Sequence, residues 1–301
     1  MISIVISPNI AKSKEDRAVI YDVGYDSLFE KSEFDEAAAV EMYPLKSFEK
    51  MLGSCNGLVL FSFYKELSSI HGVVHRDKWL RLCLWNPAEH KQLPESQNKI
   101  LFQRNVMYGF CYDYRNDDYK LFKVVCYHKD TYETLVYVYR LRSNSWRSSQ
   151  TIPYWFPSDT TSGVVVRNAL HWIGTVDVGT RHSSEVIVSL NIRDEILESV
   201  LLPKQLSKKE FYTTKIMTVG VLEGCLCVVD LKFLSNEADV WVMQEYGVQE
   251  SWVKQYSIAS GLCINVSYLR LISSKKGKIL LQTRSGFILY DLKNSSTRET
   301  K

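Results

Sequence analysis

The chain has no apolar run near the ~20 residues needed to cross a bilayer, which excludes a membrane-spanning helix as its organising element. Met1 to Ser7 is apolar but short, lacks a basic flank and is interrupted by Pro8 and Asn9, so it does not read as a secretion signal. Glycine (14) and proline (7) are few and scattered singly among 301 residues, so no flexible linker divides the chain. Charge of one sign is missing too. Lys and Arg number 37 against 34 acidic residues and the signs are interspersed, so no nucleic-acid partner is expected. Lys275, Lys276 and Lys278 read as a solvated turn. The seven cysteines, Cys55, Cys83, Cys111, Cys126, Cys225, Cys227 and Cys263, are odd in number and sit mostly among apolar neighbours. That is the usage of reduced, buried thiols in a cytoplasmic or nuclear protein. The sequons at Asn265 and Asn294 are then expected to stay unmodified.

Chemistry is equally sparse. There is no phosphate-cradling glycine loop and no dinucleotide fingerprint, so no cofactor is expected. Gly53-Ser54-Cys55-Asn56-Gly57 has the spacing of a nucleophile elbow, but a β-rich run follows it where an elbow needs a helix. It reads instead as a turn in which Asn56-Gly57 supplies a positive φ. His71 and His75 have the spacing of a zinc helix, yet Gly72, Val73 and Val74 between them make a poor one, and an exposed loop is expected. Cys225 with Cys227, and Cys126 with His128, put two soft ligands on one strand face where zinc wants four. Asp113, Asp117 and Asp118 cluster around a turn, where acids serve local backbone hydrogen bonds. No catalytic, cofactor-binding or metal-binding residue is assigned, and the protein is expected not to be an enzyme.

What the chain has is aromatic and β-branched residues in short runs. Hydrophobic residues make up 46%, with 18 Tyr, 12 Phe and 7 Trp, a composition that suits half-buried pleated surfaces. Runs such as Leu58 to Phe63, Lys120 to Tyr127, Leu135 to Arg140 and Cys225 to Leu231 are strand-like and bounded by turn residues. A unit recurs: openings at Gly57, Gly109, Ala169, Gly224 and Gly277 are separated by 52, 60, 55 and 53 residues. Closing pieces carry Trp or Leu-Pro, as in Leu93-Pro94, Trp146, Leu202-Pro203 and Trp252. A period of about 50 residues with several strands each is that of kelch-type blades. The fold class expected is all-β, a kelch-like β-propeller of antiparallel units, with incomplete units allowed at both ends; a pair of β-sandwiches is the alternative. Trp85, Trp146, Trp172, Trp241 and Trp252, placed regularly at unit ends, are expected to pack in the core. Ser32, Asp35 and the run Ala37 to Met42 favour a helix on local grounds.

The phrases resemble the F-box-associated domain of plant F-box/kelch-repeat and S-locus F-box proteins. They are Gly53 to Leu58, Leu84 to Ala88, Tyr108 to Asp113 with Asp118 to Lys120, and Val138 to Leu141 with Asn144 to Arg147. Asn168 to Trp172, Gly220 to Cys227, and Asp239 to Met243 with Trp252 complete the set, in the family's order. The resemblance implies that Ala39 to Pro44 is extended, which overrides the local helix. It divides the chain into an N-terminal segment 1–39, partly strand, an F-box-associated domain 40–292 and a C-terminal tail 293–301. It also implies a substrate-recognition domain of an SCF-type ubiquitin ligase, with a protein substrate as partner. The Skp-type adaptor and the cullin would be reached only through an F-box, and no F-box helices are visible here. A free-standing interaction protein, and a carbohydrate-binding or hydrolytic propeller, are the alternatives. Partner contacts are expected on the loops Lys65 to Lys78, Tyr112 to Tyr119 and Val178 to Ser184, with no single residue assigned.

Overall fold

The computed structural model describes residues 2–7, 17–24, 40–46, 48–65, 79–86, 90–94, 105–126, 134–156, 163–176, 184–207, 216–232, 237–258, 269–283 and 287–300. Among them lie 23 strands and one 3-10 turn, Gln249–Ser251. The strands form six antiparallel sheets in chain order. The first sheet is three-stranded: β1 (Ile2–Ser7), β2 (Arg17–Gly24) and β3 (Val40–Lys46). The second holds β4 (Phe48–Cys55), β5 (Leu58–Lys65), β6 (Trp79–Trp85) and β7 (His90–Gln92). The third holds β8 (Asn105–Asp113), β9 (Asp118–Cys126), β10 (Thr134–Arg140) and β11 (Ser145–Ile152). The fourth holds β12 (Val164–Val166), β13 (Ala169–Val176), β14 (Ser184–Asn191) and β15 (Leu197–Val200). The fifth holds β16 (Ile216–Leu222), β17 (Cys225–Lys232), β18 (Glu237–Met243) and β19 (Trp252–Ile258). The sixth holds β20 (Arg270–Lys275), β21 (Lys278–Gln282), β22 (Phe287–Asp291) and β23 (Ser296–Thr300).

Strand order is sequential in every sheet, the meander of a propeller blade and not the crossed order of a Greek-key sandwich. β3 begins at Val40, extended as the resemblance implies, while Ser32 to Ala39 lies outside the described residues. β23 pairs with β22 and makes the fourth strand of its sheet from residues set apart above as a tail. The repeat read from the sequence is out of phase at one unit. Gly57, Ala169, Gly224 and Gly277 each stand at the turn into a second strand, but Gly109 lies inside the first strand β8, opposite Phe122. The third sheet makes its first turn with four residues, Tyr114 to Asp117, and no glycine marks it.

The chain divides into two compact units, Met1–Thr151 and Ile152–Lys301. In the first, Leu52, Leu60, Leu82, Leu84, Tyr108, Phe110, Leu121 and Tyr139 form a buried cluster between the second and third sheets. In the second, one strand shows how a blade is buried on both faces. Leu226 and Val228 of β17 enter the cluster shared with the fourth sheet. Their neighbours Cys227, Val229 and Leu231 enter the cluster shared with the sixth. Alternation sends successive side chains to opposite faces, so a strand covered twice reads as a continuous apolar run. Burying each such side chain contributes about 1.5–3 kcal/mol.

First strands of neighbouring sheets approach closely, and glycine permits it. A Cβ on Gly53 of β4 would lie 3.3 Å from Cβ of Phe110 in β8, and one on Gly220 of β16 would lie 3.1 Å from Cβ of Leu271 in β20. The tryptophans divide by partner. Trp85, Trp172, Trp241 and Trp252 are buried, whereas Trp146 is half-buried. The indole N–H of Trp146 donates to the Pro94 carbonyl at 2.9 Å, and that of Trp252 donates to the Leu201 carbonyl at 2.9 Å. In each case the first residue or two of an outer strand clasps the segment that leaves the preceding sheet. Among the described residues no helix is long and apolar enough to cross a membrane.

Candidate partner-binding surface

Each four-stranded sheet has a tight end and an open end. Strands one and two join at the tight end through two residues, at Asn56-Gly57, Arg167-Asn168, Glu223-Gly224 and Lys276-Gly277, or through four in the third sheet. The residues at these turns include Asn56, Asp117, Asn168, Glu223 and Lys276, all at positive φ. Strands two and three join at the opposite end. The three loops expected to carry contacts therefore do not share an end. Lys65 to Lys78 and Val178 to Ser184 join second strands to third, and their inner residues, 66–78 and 178–183, lie outside the described residues. Tyr112 to Tyr119 is a tight-end turn and is described in full.

In the first unit β4 and β8 run side by side in the same direction, with Gly53 against Phe110 and the backbone N–H of Tyr112 beside the Cys55 thiol. That brings the Asn56-Gly57 turn beside the Tyr114–Asp117 turn. Between them opens a depression of about 460 Å³, lined by Asn56, Tyr112, Asp117, Asp118, Tyr119, Leu141 and Arg142.

Three carboxylates have separate duties here: Asp117 and Asp118 line the depression, and Asp113 supports the turn beside it. Asp113 closes the turn by accepting the N–H groups of Arg115 (3.1 Å) and Asn116 (3.3 Å) and the Asn116 side-chain amide (2.7 Å). Its other charge partner is Lys120 Nζ at 2.8 Å, with both side chains 1% exposed. Burial works against this carboxylate, but the bonds from Lys120 and Asn116 outweigh it and hold its pKa below the ordinary value. Asp117 accepts the Tyr112 hydroxyl and the Arg142 guanidinium at 3.0 Å, and Arg142 also donates to the Asp117 carbonyl at 2.7 Å. The Tyr112 hydroxyl and then Arg142 lower the pKa of Asp117, and the same bond pushes the Tyr112 phenol up to about 12. Asp118 is 9% exposed and accepts the backbone N–H of Arg142 at 3.0 Å, across 24 residues of sequence. The rings of Tyr112 and Tyr119 meet edge to face at 4.8 Å, and Tyr114, 76% exposed, meets Tyr112 edge-on at 4.9 Å.

Among the described residues, the groups weighed for chemistry from the sequence are not brought together. Cys55 ends strand β4, strand β5 follows after two residues where an elbow needs a helix, and burial raises the Cys55 pKa, so no thiolate is poised at the elbow-like spacing. Cys225 is half-buried and Cys227 buried, and burial pushes the Cys227 thiol up to about 12. Cys126 is buried and its sulfur accepts the Thr134 hydroxyl at 3.5 Å. His71, His75, His128 and Cys263 lie outside the described residues. Among the described residues no group of three His, Cys, Asp or Glu is placed to hold a metal ion, and Cys55, Cys83, Cys111, Cys126, Cys225 and Cys227 are free thiols. A buried chain in the second unit runs from Ser189 Oγ to the Tyr246 hydroxyl (3.1 Å) and on to His171 Nε2 (2.7 Å). His171 is 0% exposed and burial lowers its pKa to about 4, so it is a neutral packing element there. Sequence reasoning missed Arg142 and Leu141 as neighbours of the Tyr112–Tyr119 turn. The signal available was the family phrase around Val138 to Arg147, which marks a turn but not what it touches.

A family model described as an F-box associated beta propeller domain matches residues 46–294. An F-box/kelch-repeat protein of Arabidopsis thaliana is 33% identical over 257 residues, which cover 83% of this chain and 63% of that protein. The F-box protein CPR1 of the same plant is 28% identical over 304 residues, covering 91% of this chain and 68% of that protein. The chain thus spans about two thirds of the length of these relatives. A protein of unknown function from Dyadobacter fermentans superposes with a TM-score of 0.50 at 8% identity, covering 86% of this chain and 84% of that one, a likeness of fold alone.

Proposed function

Because this chain belongs to the F-box-associated β-propeller family, we propose that it is the substrate-recognition part of an SCF-type ubiquitin ligase, with residues 40–292 as the domain that holds the target protein. The observation that carries this reading is the family match over residues 46–294, joined to relatives that are F-box proteins. Such a domain needs no catalytic group, since holding two proteins together supplies the proximity and the transfer chemistry lies elsewhere in the assembly. Asp113 serves a turn and an ion pair with Lys120, Asp118 ties two turns together, and His171 is a buried packing group, uses that this role allows. The adaptor would be engaged through an F-box, and the complex would act in the cytoplasm or nucleus.

The adaptor contact gives a direct test. A helix docked in a groove needs apolar anchors at i, i+3, i+4 and i+7. The described residues before the family match instead form strands, with β2 pairing to both β1 and β3. The 301-residue chain alone is therefore expected not to co-purify with a Skp-type adaptor, whereas the same chain fused to a plant F-box does. Stoichiometric adaptor binding by the unfused chain would contradict this account of the contact.

A further inference from the structure

We propose that Asn56 is a site of spontaneous deamidation, a modification that adds a carboxylate to the depression between the first turns of the second and third sheets. Asn56-Gly57 is the only Asn-Gly pair in the chain. It forms the two-residue turn between β4 and β5, where Cys55 pairs with Leu58, so the Gly57 nitrogen lies in the turn and outside the ladder. Both residues are exposed. Glycine has no Cβ to shield its own nitrogen, and even a Cβ built at Gly57 would meet nothing within 4 Å beyond its chain neighbours, so nothing packs over the turn there. Among the described residues no hydrogen bond holds the Asn56 side chain. The two exposed asparagines followed by serine are held instead. Asn144 Oδ1 accepts the Tyr139 hydroxyl at 2.8 Å, and the Asn294 amide donates to Asp291 at 3.2 Å.

The Gly57 nitrogen gives its proton to hydroxide and attacks Cγ of Asn56. The new C–N bond closes a five-membered imide as the carboxamide nitrogen takes a proton from water and leaves as ammonia. Water then adds to either imide carbonyl, and cleavage of that ring bond yields aspartate or isoaspartate. Water is the only co-reactant, and nothing is oxidised or reduced. The aspartate product suits the turn, because aspartate tolerates positive φ. Asp117 already holds φ 50° in the neighbouring turn, beside 49° at Asn56. Asn56 lines the depression with Asp117, Asp118 and Arg142, so the product sets three carboxylates against one guanidinium on the candidate partner surface. The modification itself does not depend on the recognition role.

The test is incubation of the folded full chain in mildly alkaline buffer, followed by anion-exchange chromatography and peptide mapping by mass spectrometry. A free Ser-Cys-Asn-Gly-Leu peptide in the same buffer serves as the reference. Asn56 is expected to convert before Asn144 and Asn294, with an acidic form of the chain growing in step. Asn56→Asp supplies the product directly and is expected to elute with that acidic form and to keep the parent's melting curve. Gly57→Ala is expected to slow conversion at Asn56 about tenfold, since the added Cβ crowds the attacking nitrogen, and to leave Asn144 and Asn294 as in the parent. Asn56 intact once the reference peptide is consumed, earlier conversion of Asn144 or Asn294, or an unchanged rate in Gly57→Ala would each overturn the proposal. An acidic form whose Asn56 is still an asparagine would overturn it too.

Discussion

Lys120→Met is expected to lower the unfolding free energy by about 3–5 kcal/mol, the cost of leaving one half of a buried ion pair without its partner. Methionine keeps most of the side-chain volume but leaves the Asp113 carboxylate, 1% exposed, without the ammonium 2.8 Å away. The three turn bonds from Arg115 and Asn116 remain, so the turn itself should persist and the deficit should be electrostatic. Two checks follow. Adding Asp113→Asn preserves an acceptor for those turn bonds and removes the stranded charge, so the double variant is expected to recover part of the loss. The pKa of Asp113 is lowered in the folded chain, so its contribution is present above the ordinary carboxylate value and lost as pH falls through the lowered one. In Lys120→Met the orphaned carboxylate gains from protonation, and the gap to the parent should narrow on acidification. Urea denaturation at several pH values reads all three, and a single variant within about 0.5 kcal/mol of the parent would show that the pair does not hold the turn.

Trp172→Ala is expected to cost a further ~3–5 kcal/mol in its own background, through the cavity it leaves. The side chain is 0% exposed, meets Phe156 edge to face at 6.4 Å, and packs so closely on Gly163 that a Cβ there would lie 2.6 Å from the indole. Trp146, half-buried, should lose less on the same change. Phenylalanine separates packing from hydrogen bonding. Trp252→Phe strands the Leu201 carbonyl, whereas the Trp241 indole nitrogen is buried without a hydrogen-bond partner, so Trp241→Phe should be the milder change. Equal melting curves for Trp172→Ala and the parent would remove the tryptophans from the blade account.

How much of this was legible varies by element. The strand pairs were, because β-branched and aromatic runs such as Leu135 to Tyr139 have few other uses and Asn56-Gly57 or Glu223-Gly224 mark hairpins by their positive φ. The phase of the third sheet was not, since its four-residue turn replaces glycine with Asp117 at φ 50° and the glycine at 109 sits mid-strand. The first three strands escaped the repeat because no glycine stands between the first and second of them and no tryptophan occurs in residues 1–46. At Val40 to Met42 the local helical preference lost to pairing of β3 with β2, where tertiary contacts override propensity. At the depression, the reading of the turn acids as local backbone hydrogen-bonding groups describes Asp113, whereas Asp117 and Asp118 also reach Arg142, 25 and 24 residues away. The bond between Asp118 and Arg142 spans 24 residues, and the meeting of Asn56 with Tyr112 spans two sheets, so neither leaves a trace in spacing.

A reconstituted ligase tests most directly the proposal that this chain selects a protein for ubiquitination. The chain fused to a plant F-box would be assembled with adaptor, cullin and ubiquitin-loaded conjugating enzyme, then given the protein that the unfused chain captures from plant extract. The account predicts ubiquitin transfer to that protein by the fusion, none by the F-box alone, and inhibition by excess unfused chain. Transfer that is equally efficient without residues 40–292, or a captured protein left unmodified by the complete fusion, would contradict it.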